Sequence, residues 1–179
     1  MNAKEHRVVF ACVFLLLSAC AVGGRHTPDS ILERNFVLHE AEFEALLADV
    51  SADDKLRMLR VDEGRYAGRN FSDGSDFSDL GRLGLTRERW RSYTQQLRKL
   101  GIAQVSKGED RVEFRVDQGS LSNGDSYKGY EYSRTPPAGH RKASLDAYRI
   151  SENDKEKFGN YYVYKPLKGN WYLYLFVNR

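Results

Sequence analysis

Cysteine is nearly absent from this chain: among 179 residues only Cys12 and Cys20 carry a thiol. Residues 21–179 can therefore hold no disulfide, no thiolate metal site and no cysteine nucleophile. Long apolar runs are missing as well, except for residues 8–17. Ten residues rise only ~15 Å as a helix, about half of a hydrocarbon core, which argues against a permanent transmembrane span. Charge of one sign is also lacking, with 28 Lys and Arg against 25 Asp and Glu. The arginines are scattered beside carboxylates rather than clustered, which argues against a nucleic-acid partner. There is no HExxH, no paired-histidine metal spacing, no Gly-x-Ser-x-Gly elbow and no internal repeat.

What is present begins at the N-terminus. Lys4, His6 and Arg7 precede the apolar run, and Leu17-Ser18-Ala19-Cys20 closes it. A basic start, a short apolar stretch and small residues before a cut describe an exported chain. An ordinary secretory signal shares those parts. The aliphatic Leu17 three places before a cysteine is what separates the two, because only a thiol can be alkylated at that site. The tetrapeptide resembles the lipobox of bacterial lipoproteins. That resemblance implies that residues 1–19 are cleaved and that Cys20 becomes the first residue, S-linked to diacylglycerol and N-palmitoylated. It also implies an outer-membrane location facing the periplasm, since Ala21 stands where an Asp would favour the inner membrane. Cleavage takes Lys4 and Arg7 from the 28 basic side chains and Glu5 from the 25 acidic ones, leaving 26 and 24. Such a balance argues against a strong preference for polyanions.

Residues 20–30 carry two glycines and a proline without apolar periodicity, and read as a flexible tether with His26 solvated. Residues 31–179 read as one globular domain. Phe43, Leu46, Leu47 and Val50 predict a helix over 39–50. Residues 55–62 favour a strand over a second short helix capped by Ser51 or Asp54, and 65–84, rich in Gly, Ser, Asp and Asn, a long loop. Thr86 as N-cap, Leu85 stapled on Trp90, and Gly101 after Leu100 predict a second helix. Val112, Phe114 and Val116 alternate with Arg111, Glu113, Arg115 and Asp117. That is a strand with one wet face, turned back by residues 107–110 on a strand starting near Ile102. Further strands are expected over 127–133, 161–165 and 171–177. The last is apolar on both faces, as a covered central strand would be. The expected fold is α+β: an antiparallel sheet of about four to six strands with two helices packed on one face.

Four groups could carry chemistry. Asp73, Asp76 and Asp79 recur every third residue, unlike the alternate-residue spacing of a calcium loop, so Asx turns are the simpler reading and no metal is assigned. His39 and His140 are the histidines of the folded region, and His140 lies near Ser144 and Asp146 without any triad motif. Nine of the eleven tyrosines fall at or after Tyr127. Tyr130, Tyr132, Tyr172 and Tyr174 are candidates for an aromatic surface that an envelope protein or glycan could bind. Gly129 inside a strand marks a bulge, a kink or a close approach. Lys128-Gly129-Tyr130, Ser144-Leu145-Asp146 and Asn170-Trp171-Tyr172-Leu173-Tyr174 are similar to small bacterial envelope lipoproteins that carry no assigned activity.

The reading is thus a membrane-attached binding, accessory or inhibitor module with no catalytic residue and no cofactor assigned. The alternative is an envelope hydrolase using Asp73, Asp76 and Asp79. Cys20→Ser is expected to abolish lipid attachment and signal processing while leaving the domain folded. Mass spectrometry of the N-terminus and fractionation check this, and a Cys20→Ser chain still processed and membrane-held would refute it.

Overall fold

The computed structural model describes residues 26–54, 56–61, 85–121, 124–146 and 160–177. Two helices follow one another at the start, α1 (Asp29–Leu38) and α2 (Glu40–Ala52). His39 separates them: its N–H still bonds the Asn35 carbonyl at 3.1 Å, while its own carbonyl accepts from Phe43 at 3.0 Å. After β1 (Met58–Arg60) comes α3 (Arg87–Leu100), which has the ends expected of it. Thr86 accepts from the Arg89 N–H at 3.1 Å, and Gly101 closes the helix at φ 69°. The buried stripe is Trp90, Tyr93, Leu97 and Leu100.

Six further strands follow: β2 (Gln104–Lys107), β3 (Arg111–Leu121), β4 (Gly124–Ser133), β5 (His140–Arg141), β6 (Tyr161–Pro166) and β7 (Trp171–Val177). They form one sheet in the order β1-β2-β3-β4-β7-β6-β5. The fold is α+β, but the sheet has seven strands rather than four to six. It is mixed rather than antiparallel throughout, because β5 runs parallel to β6. Three helices stand among the described residues where two were expected. The additional pieces left weak traces in the sequence. β1 lies within the strand expected over 55–62, whereas β5 has only two residues, too short for alternation to show. α1 is apolar on both its inner side (Leu32, Phe36) and its outer side (Ile31, Val37, Leu38), which blurs the helical period.

The side-chain period of two assigns each strand two faces. Trp171, Leu173, Leu175 and Val177 of β7 join one large buried cluster with Phe114, Tyr130, Val163 and the apolar side chains of all three helices. Phe36 and Phe43 bring their rings onto Tyr130 and Trp171, and Phe43 also meets Phe114 edge-on at 6.4 Å. The buried indole N–H of Trp171 donates to Glu44 at 2.7 Å, and the Tyr130 hydroxyl donates to the Leu32 carbonyl at 3.0 Å. These bonds satisfy polar atoms that would otherwise be costly to bury. Tyr164, Tyr172 and Tyr174 form a second buried cluster on the opposite face.

One irregularity reorganises the sheet. Arg115 pairs with Gly129, yet Asp117 pairs with Lys128, so Val116 is an extra residue in β3. A bulge of this kind shifts every later side chain to the other face. Asp117, expected beside Arg111, Glu113 and Arg115, instead lies on the helix side with Lys128. Gly129 is what allows the strands to approach there. A Cβ at this position would fall 2.1 Å from the Phe114 carbonyl oxygen and 2.9 Å from the Arg115 Cα.

Lys128, 1% exposed, would be an uncompensated charge without partners. Its ammonium lies 2.6 Å from Asp29 of α1 and 2.6 Å from Asp146. Asp146 also accepts from the Asp29 N–H at 2.9 Å, and Asp29 from the Leu145 N–H at 2.8 Å. Burial works against the Asp29 carboxylate, but the hydrogen bonds from Lys128 and Leu145 outweigh it and hold its pKa below the ordinary value.

Gly129→Ala is expected to lower stability by more than ~2 kcal/mol, the range of strained or overpacked sites. Gly101→Ala, strained at φ 69° but with nothing within 4 Å of its Cβ, should lose only about 1 kcal/mol. Urea melts of both check this, and a Gly129→Ala chain melting like the parent would refute the close approach.

Candidate functional site

The face of the sheet opposite the main core is polar and aromatic, and its residues follow from register. Arg111, Glu113 and Arg115 precede the bulge on β3, and Tyr127 and Glu131 stand on β4. Tyr172, Tyr174 and Phe176 of β7 and Tyr162 and Tyr164 of β6 continue across it. Tyr127 pairs with Phe176 and Phe176 with Tyr162, so three rings cross three adjacent strands. Tyr127 stacks on Phe176 with centroids 5.7 Å apart and planes 5° from parallel, and Phe176 meets Tyr162 at 4.7 Å. All three rings are half-buried, whereas Tyr164, Tyr172 and Tyr174 form a buried layer beside them. Gly139, after β4, approaches this layer so closely that a Cβ would lie 2.8 Å from the Tyr164 ring.

Two arginines and two carboxylates frame the rings. The Arg115 guanidinium sits 4.5 Å from the Tyr127 centroid and that of Arg111 5.0 Å from Tyr162. Glu113 and Glu131 are cross-strand partners. Glu113 accepts from the Tyr162 hydroxyl at 3.1 Å and pairs with Arg111 at 3.3 Å. Glu131 is fully buried: its Oε2 accepts from the Tyr164 hydroxyl at 3.3 Å, but its Oε1 has no hydrogen-bond partner. Burial, and then the Glu113 carboxylate opposite, push the Glu131 carboxyl up to about 7. Burial and the carboxylates likewise push Tyr162 up to about 12 and Tyr164 higher. Burial and the neighbouring Arg60 lower the Arg115 guanidinium. The arrangement offers flat aromatic area, hydrogen-bond donors at its rim and a carboxyl that can exchange a proton near neutral pH.

The aromatic candidates from the sequence do not form one surface. Tyr130 is buried under the helices and Tyr132 packs against the same core, while Tyr172 and Tyr174 are buried on the opposite face. Alternation separates residues of different parity on paired strands, and the expectation had joined them. Tyr127, Tyr162 and Phe176 are the accessible rings instead. Their signal was the alternation itself, which puts Tyr127 with Glu131 and Arg111 with Glu113.

His140, Ser144 and Asp146 do not converge: Ser144 donates to Asp29 at 3.2 Å and Asp146 is engaged by Lys128. His39 begins α2, with Nδ1 3.4 Å from Glu42. A different Ser–His–Asp contact does assemble, around the histidine read as solvated. His26 Nδ1 lies 2.5 Å from Asp117 and its Nε2 2.7 Å from Ser126 Oγ, while the Thr27 N–H donates to Asp117 at 2.6 Å. The connectivity is that of an acyl-transfer triad. Ser126 is only 1% exposed, however, and the ring covers it: a Cβ on neighbouring Gly119 would lie 2.9 Å from the His26 ring. A nucleophile needs a substrate within ~3 Å, and the ring and strands occupy that space. The contact docks the N-terminal segment on β3 and β4.

Cys20, Asp73, Asp76 and Asp79 lie outside the described residues. Among those described, no group of three or more His, Cys, Asp or Glu side chains could hold a metal ion, and no helix is long and apolar enough to cross a membrane. Comparison with protein-family models, with curated proteins and with solved structures found no match.

The Glu131 carboxyl gives the site a pH signature. An ordinary carboxyl titrates near 4.5 and this one near 7, so between those values the folded chain keeps a proton that the unfolded chain releases. Stability is therefore lost as pH rises through that window, by on the order of 3 kcal/mol in full. Glu131→Gln should gain on the parent chain between pH 5 and pH 8 in urea melts. An equal difference at both pH values would refute the raised carboxyl.

Proposed function

We propose that this chain is a lipid-anchored envelope protein whose domain is a binding or accessory module facing the periplasm from the outer membrane. Its helices cover one face of the sheet, and the opposite face carries the recognition surface. The observation behind this reading is the half-exposed ladder of Tyr127, Phe176 and Tyr162, framed by Arg111, Arg115 and Glu113. Rings held flat by cross-strand stacking lose little freedom on contact, and they suit a sugar face or an apolar side chain of a partner. The guanidinium and carboxylate rim supplies direction through hydrogen bonds. An accessory or inhibitor role needs that surface and no reacting group. The motif Leu17-Ser18-Ala19-Cys20 supports the anchor, and with two or more acyl chains the protein would remain on the bilayer.

Retention of the lipidated protein's domain on purified envelope glycan, and cross-linking to envelope proteins, test the surface. Phe176→Ala and Tyr127→Ala should each weaken the interaction by ~2 kcal/mol, about 30-fold, as for anchors at an interface centre. Thermal melts confirm that the variants fold. If both variants retain glycan and protein partners like the parent, the ladder is not the recognition surface.

A further inference from the structure

The large apolar side chains exposed among the described residues are Ile31 at 57%, Val37 at 73%, Leu38 at 65% and Met58 at 51%. Three of the four belong to the single ten-residue helix α1. At 3.6 residues per turn Val37, Arg34, Leu38 and Ile31 fall within roughly a third of the helix circumference, opposite Leu32 and Phe36. An outward stripe of this kind costs solvation and calls for a covering. Arg34 stands inside it and is exposed. A guanidinium among aliphatic residues matches the phosphate level of a bilayer, where its stem lies on apolar surface and its head meets anionic groups.

The position of α1 in the chain makes the bilayer its neighbour. Cys20 precedes His26 by six residues, at most ~20 Å of extended chain. His26 and Thr27 are bonded to Asp117 and Ser126, and Asp29 opens the helix two residues later. No slack therefore lies between the docked histidine and the helix. The Lys128–Asp29 pair fixes the start of α1 on the sheet, so its outer side cannot turn inward.

We propose that the outer side of α1, with Ile31, Val37, Leu38 and Arg34, rests on the surface of a phospholipid bilayer. This rests on the lipid attachment at Cys20 proposed above. The acyl chains supply retention, and the helix supplies orientation: the domain lies with α1 down rather than swinging on its tether. Apolar side chains on such a helix enter the headgroup and upper acyl region by ~5–10 Å.

The test uses the full chain, processed in cells and reconstituted into vesicles of phosphatidylethanolamine and phosphatidylglycerol with brominated acyl chains. With Cys12 removed and Cys20 alkylated, Leu38→Cys provides a single thiol for an environment-sensitive dye. Glu109→Cys, in the exposed turn at the far end of β3 from Asp117, is the control. A dye at position 38 should lose roughly half its emission to the brominated lipid, as expected at that depth, and one at position 109 none. Adding Arg34→Glu should reduce the quenching at position 38. Mass spectrometry of Cys20 is read on the same sample. A lipidated chain unquenched at position 38, or quenched equally at both positions, overturns the orientation alone. An unlipidated Cys20 overturns the anchor and the orientation together.

Discussion

The ammonium of Lys128 is the point from which most of this structure can be derived. A lysine inside a protein is tolerated only when its charge is met at short range, because the desolvation penalty is several kcal/mol per ion. Here Lys128, in the middle of β4, takes its two partners from distant parts of the chain, Asp29 at the first turn of α1 and Asp146 after β5. The Asp29 carboxylate also accepts from the Leu145 N–H, and Lys165 of β6 lies 3.5 Å away. Removing Asp29 would leave the Lys128 ammonium buried with only the more exposed Asp146 beside it. The network therefore dictates where α1 begins, and so how Phe36 reaches Tyr130 and Trp171 and which side of the helix faces outward.

The bulge in β3 sets a second contact on the same face, the docking of His26. Without the extra Val116, Asp117 would project to the face that carries Glu113 and Arg115, and His26 would have no carboxylate to dock on. With it, β3 changes the face of its polar side chains half-way along, and Asp117 stands beside Lys128 in register. Gly129 is the geometric condition for this, since only a residue without a Cβ fits against the Phe114 carbonyl. A single backbone irregularity thus assigns acidic groups to both faces of one sheet.

Much of this was legible in the sequence, for identifiable reasons. α3 announces itself through Thr86, the Leu85–Trp90 staple and Gly101, all of them local signals. The central position of β7 follows from its having apolar side chains on both faces, and the 104–115 hairpin from alternation around residues 107–110. The illegible parts were non-local. Gly129 on the partner strand was the one signal of an irregularity, and nothing near Val116 itself says that β3 carries the extra residue, so Asp117 was placed on the wrong face. Residues 26–28 have the composition of a tether, and only the distant Asp117 and Ser126 make His26 a structural residue. The accessible rings were misassigned for a smaller reason: Tyr130 and Tyr132 were grouped with Tyr172 and Tyr174 by residue type, although paired strands put them on opposite faces.

Lys128 and Glu131 make an instructive pair because they are three residues apart on one strand and face opposite ways. Both are buried and ionisable, and their treatment differs. Lys128 meets two carboxylates at 2.6 Å, and the chain spends Asp29, Asp146 and two backbone N–H groups on completing that network. Glu131 is left with one tyrosine at 3.3 Å, a like charge opposite and an oxygen without a partner. A polar atom so placed costs about 1–3 kcal/mol, which a stability requirement alone would remove by substitution to Gln or an apolar residue. The buried ammonium of Lys128 is thus met more fully than the buried carboxyl of Glu131 on the other face. For the recognition surface proposed on that face, the cost retained at Glu131 is a stronger argument than the number of aromatic residues around it.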